Sequence, residues 1–259
     1  MNLRLDIAYD GTPFHGFARQ SDVRTVQGEL ESALARLFRH DVEIAGAGRT
    51  DAGVHAVGQV VSVDAPDDAD PTVIGDALNT MCGPAISVRE CRRVPADFHP
   101  RFSALSRSYV YAVLIAGAPD PWLARTTLWH PEPLDVAAMN EAAGHLIGRH
   151  DFTSFGRLPD PEASAERTLY ELRCATDEQV VRIWARANAF IHQMVRSLAG
   201  TLIQVGEGRR SPDEVVGTLA ARDRAAAGPV APPHGLCLVS VEYPDGWSGP
   251  AAVSDRSPV

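Results

Sequence analysis

The sequence predicts an α+β protein with two ferredoxin-like or RRM-like halves, each with the order β-α-β-β-α-β and a mainly antiparallel sheet. We expect the two halves to be fused, with a central catalytic cleft between them. Apolar and polar residues alternate in the first strand, where Leu3, Leu5 and Ile7 share one face. Apolar residues recur at helical spacing after Thr25, which is a suitable cap. A related order of elements begins again after residue 100, which indicates two similar halves.

The first half, residues 1–100, contains six predicted elements. A turn signal, Asp10-Gly11-Thr12-Pro13, ends the first strand, and a glycine-bracketed loop separates the second strand from the third. The predicted elements are a strand at 3–9, a helix at 26–37, strands at 42–47 and 54–64, a helix at 71–81 and a strand at 86–94.

The second half, residues 101–245, repeats this order with one additional helix. The predicted elements are a strand at 108–115, a helix at 135–147, a hairpin of strands at 167–176 and 179–186, helices at 189–205 and 211–224, and a closing strand at 236–243. The helix at 189–205 is apolar almost all round, which predicts burial. Residues 246–259 are small and polar, and we expect a disordered tail.

The composition is that of a soluble globular protein. Of the 259 residues, 45% are hydrophobic and 22% are charged. No apolar run approaches the length of a transmembrane helix, and the charged start does not resemble a secretory signal. The four cysteines are scattered without a C-x-x-C motif, which predicts reduced thiols in a cytoplasmic protein.

The charge pattern excludes several classes of function. The formal net charge is −9, which argues against a generally basic nucleic-acid binder. All 24 basic residues are arginine, so a lysine Schiff base and a P-loop lysine are impossible. Arginine suits bidentate phosphate contacts, and an acidic protein can still contain a local arginine-lined cleft.

One short stretch combines the features of a catalytic loop: Gly48-Arg49-Thr50-Asp51-Ala52-Gly53-Val54-His55. The two glycines predict a tight loop, and Arg49 and Asp51 point to the same side of an extended segment. A guanidinium nearby keeps a carboxylate ionised, and an ionised carboxylate can act as a nucleophile or general base. An ordinary surface ion pair is the alternative.

Three residues of the second half are further candidates. Arg196 lies on the apolar helix, where it either needs an acidic partner or extends to solvent. His192 precedes it by one helical turn and is more typical of a structural residue. Tyr109 lies on a predicted strand, where it is either part of the core or a platform that stacks on a base. Metal-binding and hydrolase motifs such as H-E-x-x-H and G-x-S-x-G are absent from the sequence.

With these residues in view, the chain resembles the tRNA pseudouridine synthase A family. The resemblance spans residues 9 to about 243, and the G-R-T-D-A-G-V-H run is its most specific part. The matching stretches are Tyr9 to Gly16, Gly48 to His55, Phe98-His99 with Arg101-Phe102, Phe190 to Gly200, and Gly235-Leu236.

The resemblance implies an isomerase that converts uridine to pseudouridine at positions 38 to 40 of the tRNA anticodon stem-loop. It implies a homodimer that binds tRNA and works without cofactor or metal. By the matching motifs, Asp51 is the nucleophile, Tyr109 stacks on the target base, Arg196 pairs with the catalytic carboxylate, and Arg49 helps to displace the base. Attack on C1′ of the sugar, attack on C6 of the base and abstraction of a sugar proton all remain open.

Two other classes of function compete with this interpretation. An RNA-binding module without chemistry could be built from the same RRM-like halves, but it would not need Arg196 on a buried helix or Asp51 in a glycine-bracketed loop. A metal-dependent RNA hydrolase would need ligand clusters that the sequence lacks.

Overall fold

The structure is a computed structural model that describes residues 1–158, 160 and 162–247. The chain divides into two compact units. The first comprises Met1–Leu105 together with 237–247 of the described residues, and the second comprises Ser106–Leu236. The first boundary therefore lies five residues beyond the predicted residue 100, and the last strand groups with the first unit. Most of the predicted disordered tail, from residue 248 onward, lies outside the described residues.

The first unit follows the predicted β-α-β-β-α-β order. Its elements are β1 (Asn2–Tyr9), α1 (Val26–Phe38), β2 (Ile44–Gly46), β3 (His55–Asp64), α2 (Pro71–Cys82) and β4 (Ile86–Arg93). Strand β1 is central, with β3 and β4 antiparallel on either side, and β2 pairs antiparallel with β3. Buried Leu3, Leu5 and Ile7 confirm the predicted alternation in β1.

Local sequence signals set the starts of both helices of this unit. The Thr25 hydroxyl accepts a hydrogen bond of 3.2 Å from the Gly28 N–H at the start of α1. The Asp70 carboxylate accepts one of 2.8 Å from the Thr72 N–H, and Pro71 occupies the first turn of α2, where its missing N–H costs nothing. Apolar residues on both helices are buried, as their spacing predicts.

The second unit contains two strands that the sequence pattern did not predict. Its elements are β5 (Ser106–Ile115), β6 (Leu128–His130), α3 (Val136–Gly144), β7 (Gly148–Asp151), β8 (Glu166–Asp177), β9 (Val180–Ala187), α4 (Met194–Gly206) and α5 (Glu214–Ala221). Strand β9 pairs antiparallel with β5 and β8, β7 pairs antiparallel with β8, and β6 pairs parallel with β5. The two unpredicted strands, β6 and β7, have three and four residues, too few to show an alternation.

The start predicted for the apolar helix is wrong. Helix α4 begins at Met194 rather than near 189, because Gln193 adopts a left-handed φ of 65° that an α-helix cannot contain. Eleven of its thirteen residues are buried, which confirms that the helix belongs to the core.

The last strand, β10 (Leu236–Glu242), belongs mainly to the first unit. It pairs parallel with β3, with Cys237 opposite His55 and Leu238 opposite Ala56. The predicted mixed α and β class with mainly antiparallel sheets is confirmed. Among the described helices, none combines the length and hydropathy needed to cross a bilayer.

Candidate active site

The glycine-bracketed loop connects β2 to β3 in the first unit. Of its two glycines, Gly53 alone has a positive φ, +78°, a conformation that a residue with a Cβ rarely adopts. A hydrogen bond of 3.1 Å from the Val54 N–H to the Asp51 carbonyl closes the turn. The chain therefore reverses immediately after Asp51.

Three buried polar side chains stabilise this loop through hydrogen bonds. The Tyr9 and Thr50 hydroxyls are 2.9 Å apart, and Tyr9 is 5% exposed. The fully buried Gln59 amide donates to the Gly48 carbonyl at 2.8 Å and lies 3.5 Å from the Tyr9 hydroxyl. Sequence analysis did not single out Tyr9, Thr50 or Gln59 as a group. A polar glutamine in the apolar run of β3 was the signal that could have found it.

The segment that follows β1 supports the loop through its backbone. The Phe17 N–H donates to the Thr50 carbonyl at 3.0 Å. At Gly11, an added Cβ would lie 2.1 Å from the Val54 carbonyl oxygen, so only glycine permits this close approach. The loop is thus fixed on both sides of Asp51, which reduces the reorganisation needed when a substrate binds.

His55 joins the same two segments at the start of β3. Its side chain is buried, and Nδ1 accepts a hydrogen bond of 3.0 Å from the Gly11 N–H, as a neutral imidazole can. The Asp10 carboxylate lies 3.2 Å from that nitrogen. His55 therefore ties the segment after β1 to the start of β3.

The three side chains at the centre of the loop differ in exposure. Arg49 is exposed, Thr50 is buried and Asp51 is half-buried. Thr50 anchors the loop through its hydroxyl, and its two neighbours are more exposed than it is. A half-buried carboxylate on a fixed loop can meet a substrate without a large rearrangement.

The second unit contains the other two candidates, and Tyr109 lies on β5. It is 8% exposed and opposes Ala185 of β9. The Phe190 ring packs against it edge-on, with ring centroids 5.2 Å apart and planes at 88°. This geometry is favourable for an aromatic pair and orients the tyrosine ring.

Tyr111, two residues further along β5, is a core residue. Its hydroxyl donates to the Pro232 carbonyl at 2.9 Å, and its ring is fully buried. Burial raises the pKa of Tyr111 well above its usual range, and the charge of Arg196 opposes this effect. Tyr111 therefore stays neutral and structural, and of the two tyrosines only Tyr109 remains a candidate.

Arg196 is half-buried in the first turn of α4. Its Nε donates to the Ala231 carbonyl at 2.7 Å, and the Ala231 N–H returns a hydrogen bond of 3.1 Å to the Arg196 carbonyl. The proline-rich segment that contains Ala231 therefore fixes the plane of the guanidinium. A fixed guanidinium plane is what bidentate recognition of a carboxylate requires.

His192 is not on the helix, contrary to the sequence prediction. It lies before the left-handed Gln193, is exposed, and its carbonyl accepts a hydrogen bond of 3.0 Å from the Arg157 N–H. The predicted turn-to-turn relation with Arg196 is therefore wrong, since the two residues do not share a helix.

Thiol nucleophiles do not suit this protein at neutral pH. All four cysteines are free. Burial raises the pKa of three of them to about 12, so their thiolate forms are rare: Cys91, Cys174 and Cys237. Among the residues that the structure describes, no group of three His, Cys, Asp or Glu side chains could hold a metal ion.

Comparisons with known proteins agree on one family. The family model described as "tRNA pseudouridine synthase" matches residues 7–103 and 142–244. The chain is 48% identical to the tRNA pseudouridine synthase A of Cereibacter sphaeroides, over 93% of this chain and 95% of that protein. It is 46% identical to the tRNA pseudouridine synthase A of Dinoroseobacter shibae, over 95% of this chain and 98% of that protein.

A weak likeness to a solved structure adds nothing to this. A chain from a structure titled "Crystal Structure of a Cbf5-Nop10-Gar1 Complex" aligns with a TM-score of 0.33 and 11% identity, over 92% of this chain and 58% of that chain. The chain thus spans less than two thirds of that protein, and a score this low supports no argument.

Proposed function

This chain belongs to the tRNA pseudouridine synthase family, a family of isomerases, and we propose that it acts on uridines 38, 39 and 40 of the tRNA anticodon stem-loop. The observation that carries the proposal is the fixed loop between β2 and β3, with Asp51 half-buried at its turn. Asp51 is the nucleophile of the proposed reaction.

The chemistry of the reaction suits this loop. Isomerisation breaks the bond between C1′ and N1 and forms one between C1′ and C5, while the proton on C5 leaves and N1 gains one. Atoms and electrons balance within the nucleoside, so the proposal includes neither metal nor cofactor. The base must leave the helical stack to turn over, and a fixed carboxylate is then presented to the flipped nucleotide. Attack on C1′, attack on C6 and removal of a sugar proton are all compatible with such a carboxylate.

The other three candidates take roles around Asp51 in the proposal. Arg196 pairs with the carboxylate and orients it, which the hydrogen bond from the Arg196 Nε to the Ala231 carbonyl supports. Tyr109 stacks on the flipped base, which the ring oriented by Phe190 supports. Arg49 helps to displace the target base, and its exposure on the same loop supports this role. The cleft between the two halves remains a prediction.

The partners in the proposal are tRNA and a second copy of the chain. A protein of net charge −9 can bind tRNA only where its arginines are concentrated, so we expect binding to weaken steeply with salt as counterions are released. The family resemblance supports a homodimer in which two subunits form each RNA surface, working in the cytoplasm. Full activity from a monomer in sedimentation would contradict the shared surface.

The deciding experiment uses a tRNA transcript with uridine tritiated at C5. We expect the purified protein to release tritium with and without EDTA. Strand cleavage would identify a hydrolase, and binding without release would identify an RNA-binding module. Asp51→Asn should abolish release and keep tRNA binding, because phosphate contacts dominate affinity. The matched control Asp68→Asn removes the same charge from an exposed position of the first unit and should retain full activity.

A further inference from the structure

The turn that follows β4 contains an exposed aromatic side chain, Phe102, which has no role in the proposed chemistry. Phe102 is 78% exposed, in contrast to Phe14, Phe17 and Phe98 of the same unit, which are buried. Covering an exposed ring of this size with a partner removes apolar surface from water, which is favourable. The turn therefore offers a contact that the fold itself does not use.

Local hydrogen bonds hold this turn in one conformation. The Ser103 N–H donates to the His99 carbonyl at 2.9 Å, and the Ser103 hydroxyl accepts from the His99 N–H at 3.1 Å. His99 Nδ1 accepts from the Arg101 N–H at 3.1 Å. The buried Tyr243 hydroxyl donates to the Pro100 carbonyl at 2.7 Å. A ring displayed by an ordered turn loses little conformational entropy when it binds.

The side chains around Phe102 are of the types that bind a nucleotide, namely aromatic rings for the base and a guanidinium for the phosphate. The His99 ring lies 4.4 Å from the Phe102 ring, centroid to centroid, at an angle of 37°. The Arg101 guanidinium carbon lies 5.7 Å from the Phe102 centroid, and Arg101 is exposed. Aromatic faces stack on unpaired bases, and arginine recognises the phosphates between them. The pairing of ring and cation favours RNA over an apolar protein partner.

The turn and the Asp51 loop start from the same core cluster. Phe98 packs there with Ala47 and Val60. Phe102 follows Phe98 by four residues, and Asp51 follows Ala47 by four. Because an extended chain spans at most about 3.6 Å per residue, each lies within about 14 Å of its anchor. Both residues therefore lie close to one shared core cluster of the first unit.

We propose that Phe102 is a stacking platform for an unpaired base of the bound RNA, with Arg101 on an adjacent phosphate. The identification of that RNA as tRNA rests on the proposed function. The platform lies outside the reacting site, so it contributes to binding and not to the chemical step.

The test compares Phe102→Ala, Phe102→Leu and Phe102→Tyr in the full-length protein. The dissociation constant for a tRNA transcript is measured by fluorescence anisotropy at one fixed salt concentration. Phe102→Ala and Phe102→Leu should weaken tRNA binding by about 5- to 150-fold, which is the range expected for loss of one stacked base. Phe102→Tyr should bind tRNA as tightly as the wild type. KM should rise with the dissociation constant while kcat at saturating tRNA is unchanged. Val73→Ala, at a position 63% exposed on α2, is the control and should change nothing.

The proposed contact of Arg101 with a phosphate is tested separately, by the salt dependence of tRNA binding. Arg101→Gln should reduce the slope of log affinity against log salt by about 1, as expected for one lost phosphate contact. An unchanged slope would overturn the phosphate contact.

Two results would overturn the stacking role. The first is wild-type affinity for tRNA in Phe102→Ala. The second is a tRNA affinity of Phe102→Leu as high as that of Phe102→Tyr, because leucine supplies apolar contact without a ring face. In that case, a shift of the sedimentation coefficient in Phe102→Ala would identify a second copy of the chain as the occupant. These failures are distinguishable from failure of the proposed function. If the wild type releases no tritium but Phe102→Ala still binds RNA more weakly, the proposed function falls and the platform stands.

Discussion

Gln59→Leu tests whether the buried network under the loop positions Asp51. Leucine has a similar volume but no amide, so two backbone groups lose their partner: the Gly48 carbonyl at 2.8 Å and the Val60 N–H at 3.1 Å. Gln59 and Val60 are buried, whereas Gly48 is half-buried, so water reaches the Gly48 carbonyl more easily than the Val60 N–H. Each buried polar group left without a partner costs about 1–3 kcal/mol, so the free energy of unfolding should fall by roughly 1–6 kcal/mol, with the upper end reached when both groups stay without a partner.

The effect on catalysis should exceed what the loss of stability explains. The Gly48 carbonyl starts the loop that carries Asp51, and a displacement of about 1 Å in a reacting group can cost about 100-fold in rate. We therefore expect kcat to fall by about 10- to 100-fold while the tRNA dissociation constant changes less than twofold, since the phosphate contacts remain.

The control is Asn79→Leu, at an exposed position of the same unit. Its side chain also bonds two backbone groups, the Val88 carbonyl at 3.0 Å and the Val88 N–H at 2.7 Å, but it lies between α2 and β4. Stability is measured by urea unfolding and kcat by tritium release, well below the melting midpoint of both variants. Gln59→Leu with wild-type kcat, or an equal loss of kcat in Asn79→Leu, would refute the positioning role.

The remaining predictions concern the second unit and the thiols. In the proposed pairing with Asp51, Arg196→Met removes the partner of the carboxylate and should reduce the rate greatly. Arg196→Lys should rescue only in part, because an ammonium does not reproduce the planar fork of a guanidinium, and wild-type kinetics in folded Arg196→Met would contradict the pairing. Tyr109→Leu should lower kcat/KM by about 5- to 150-fold, and wild-type kinetics in the folded variant would contradict stacking. Cys174 and Cys237 are buried and Cys91 is half-buried, and the pKa of each thiol is raised to about 12. In the native protein all three should react slowly with iodoacetamide at pH 8, with no loss of activity, and unfolding should speed the reaction. Rapid labelling of any of them in the native protein would contradict the raised pKa values.

Most of the first unit could be predicted from the sequence because its signals are local. The Thr25 and Asp70 caps, Pro71 and the alternation in β1 each act within a few residues, and the structure has helices and strands close to where they predict them. The G-R-T-D-A-G-V-H run is equally local, so the candidate loop and Asp51 could be found without a structure.

The wrong start predicted for helix α4 in the second unit also has a local cause. This cause is the backbone conformation of one residue, which the spacing of apolar residues does not indicate. Helix α4 starts late because a single residue, Gln193, has a left-handed backbone, while the apolar pattern continues across it. The apolar pattern alone therefore places His192 on a helix that does not contain it.

The sequence by itself determined the order of the elements in the first unit, the loop and the residue types available for chemistry. Only the tertiary structure decided which side chains hold that loop. Tyr9 and Thr50 are 41 residues apart in sequence, and β10 reaches β3 from the far end of the chain. Such contacts depend on closing long loops and on parallel pairing, which no local periodicity encodes. The partners of a catalytic loop are long-range contacts of this kind, whereas the loop itself is local.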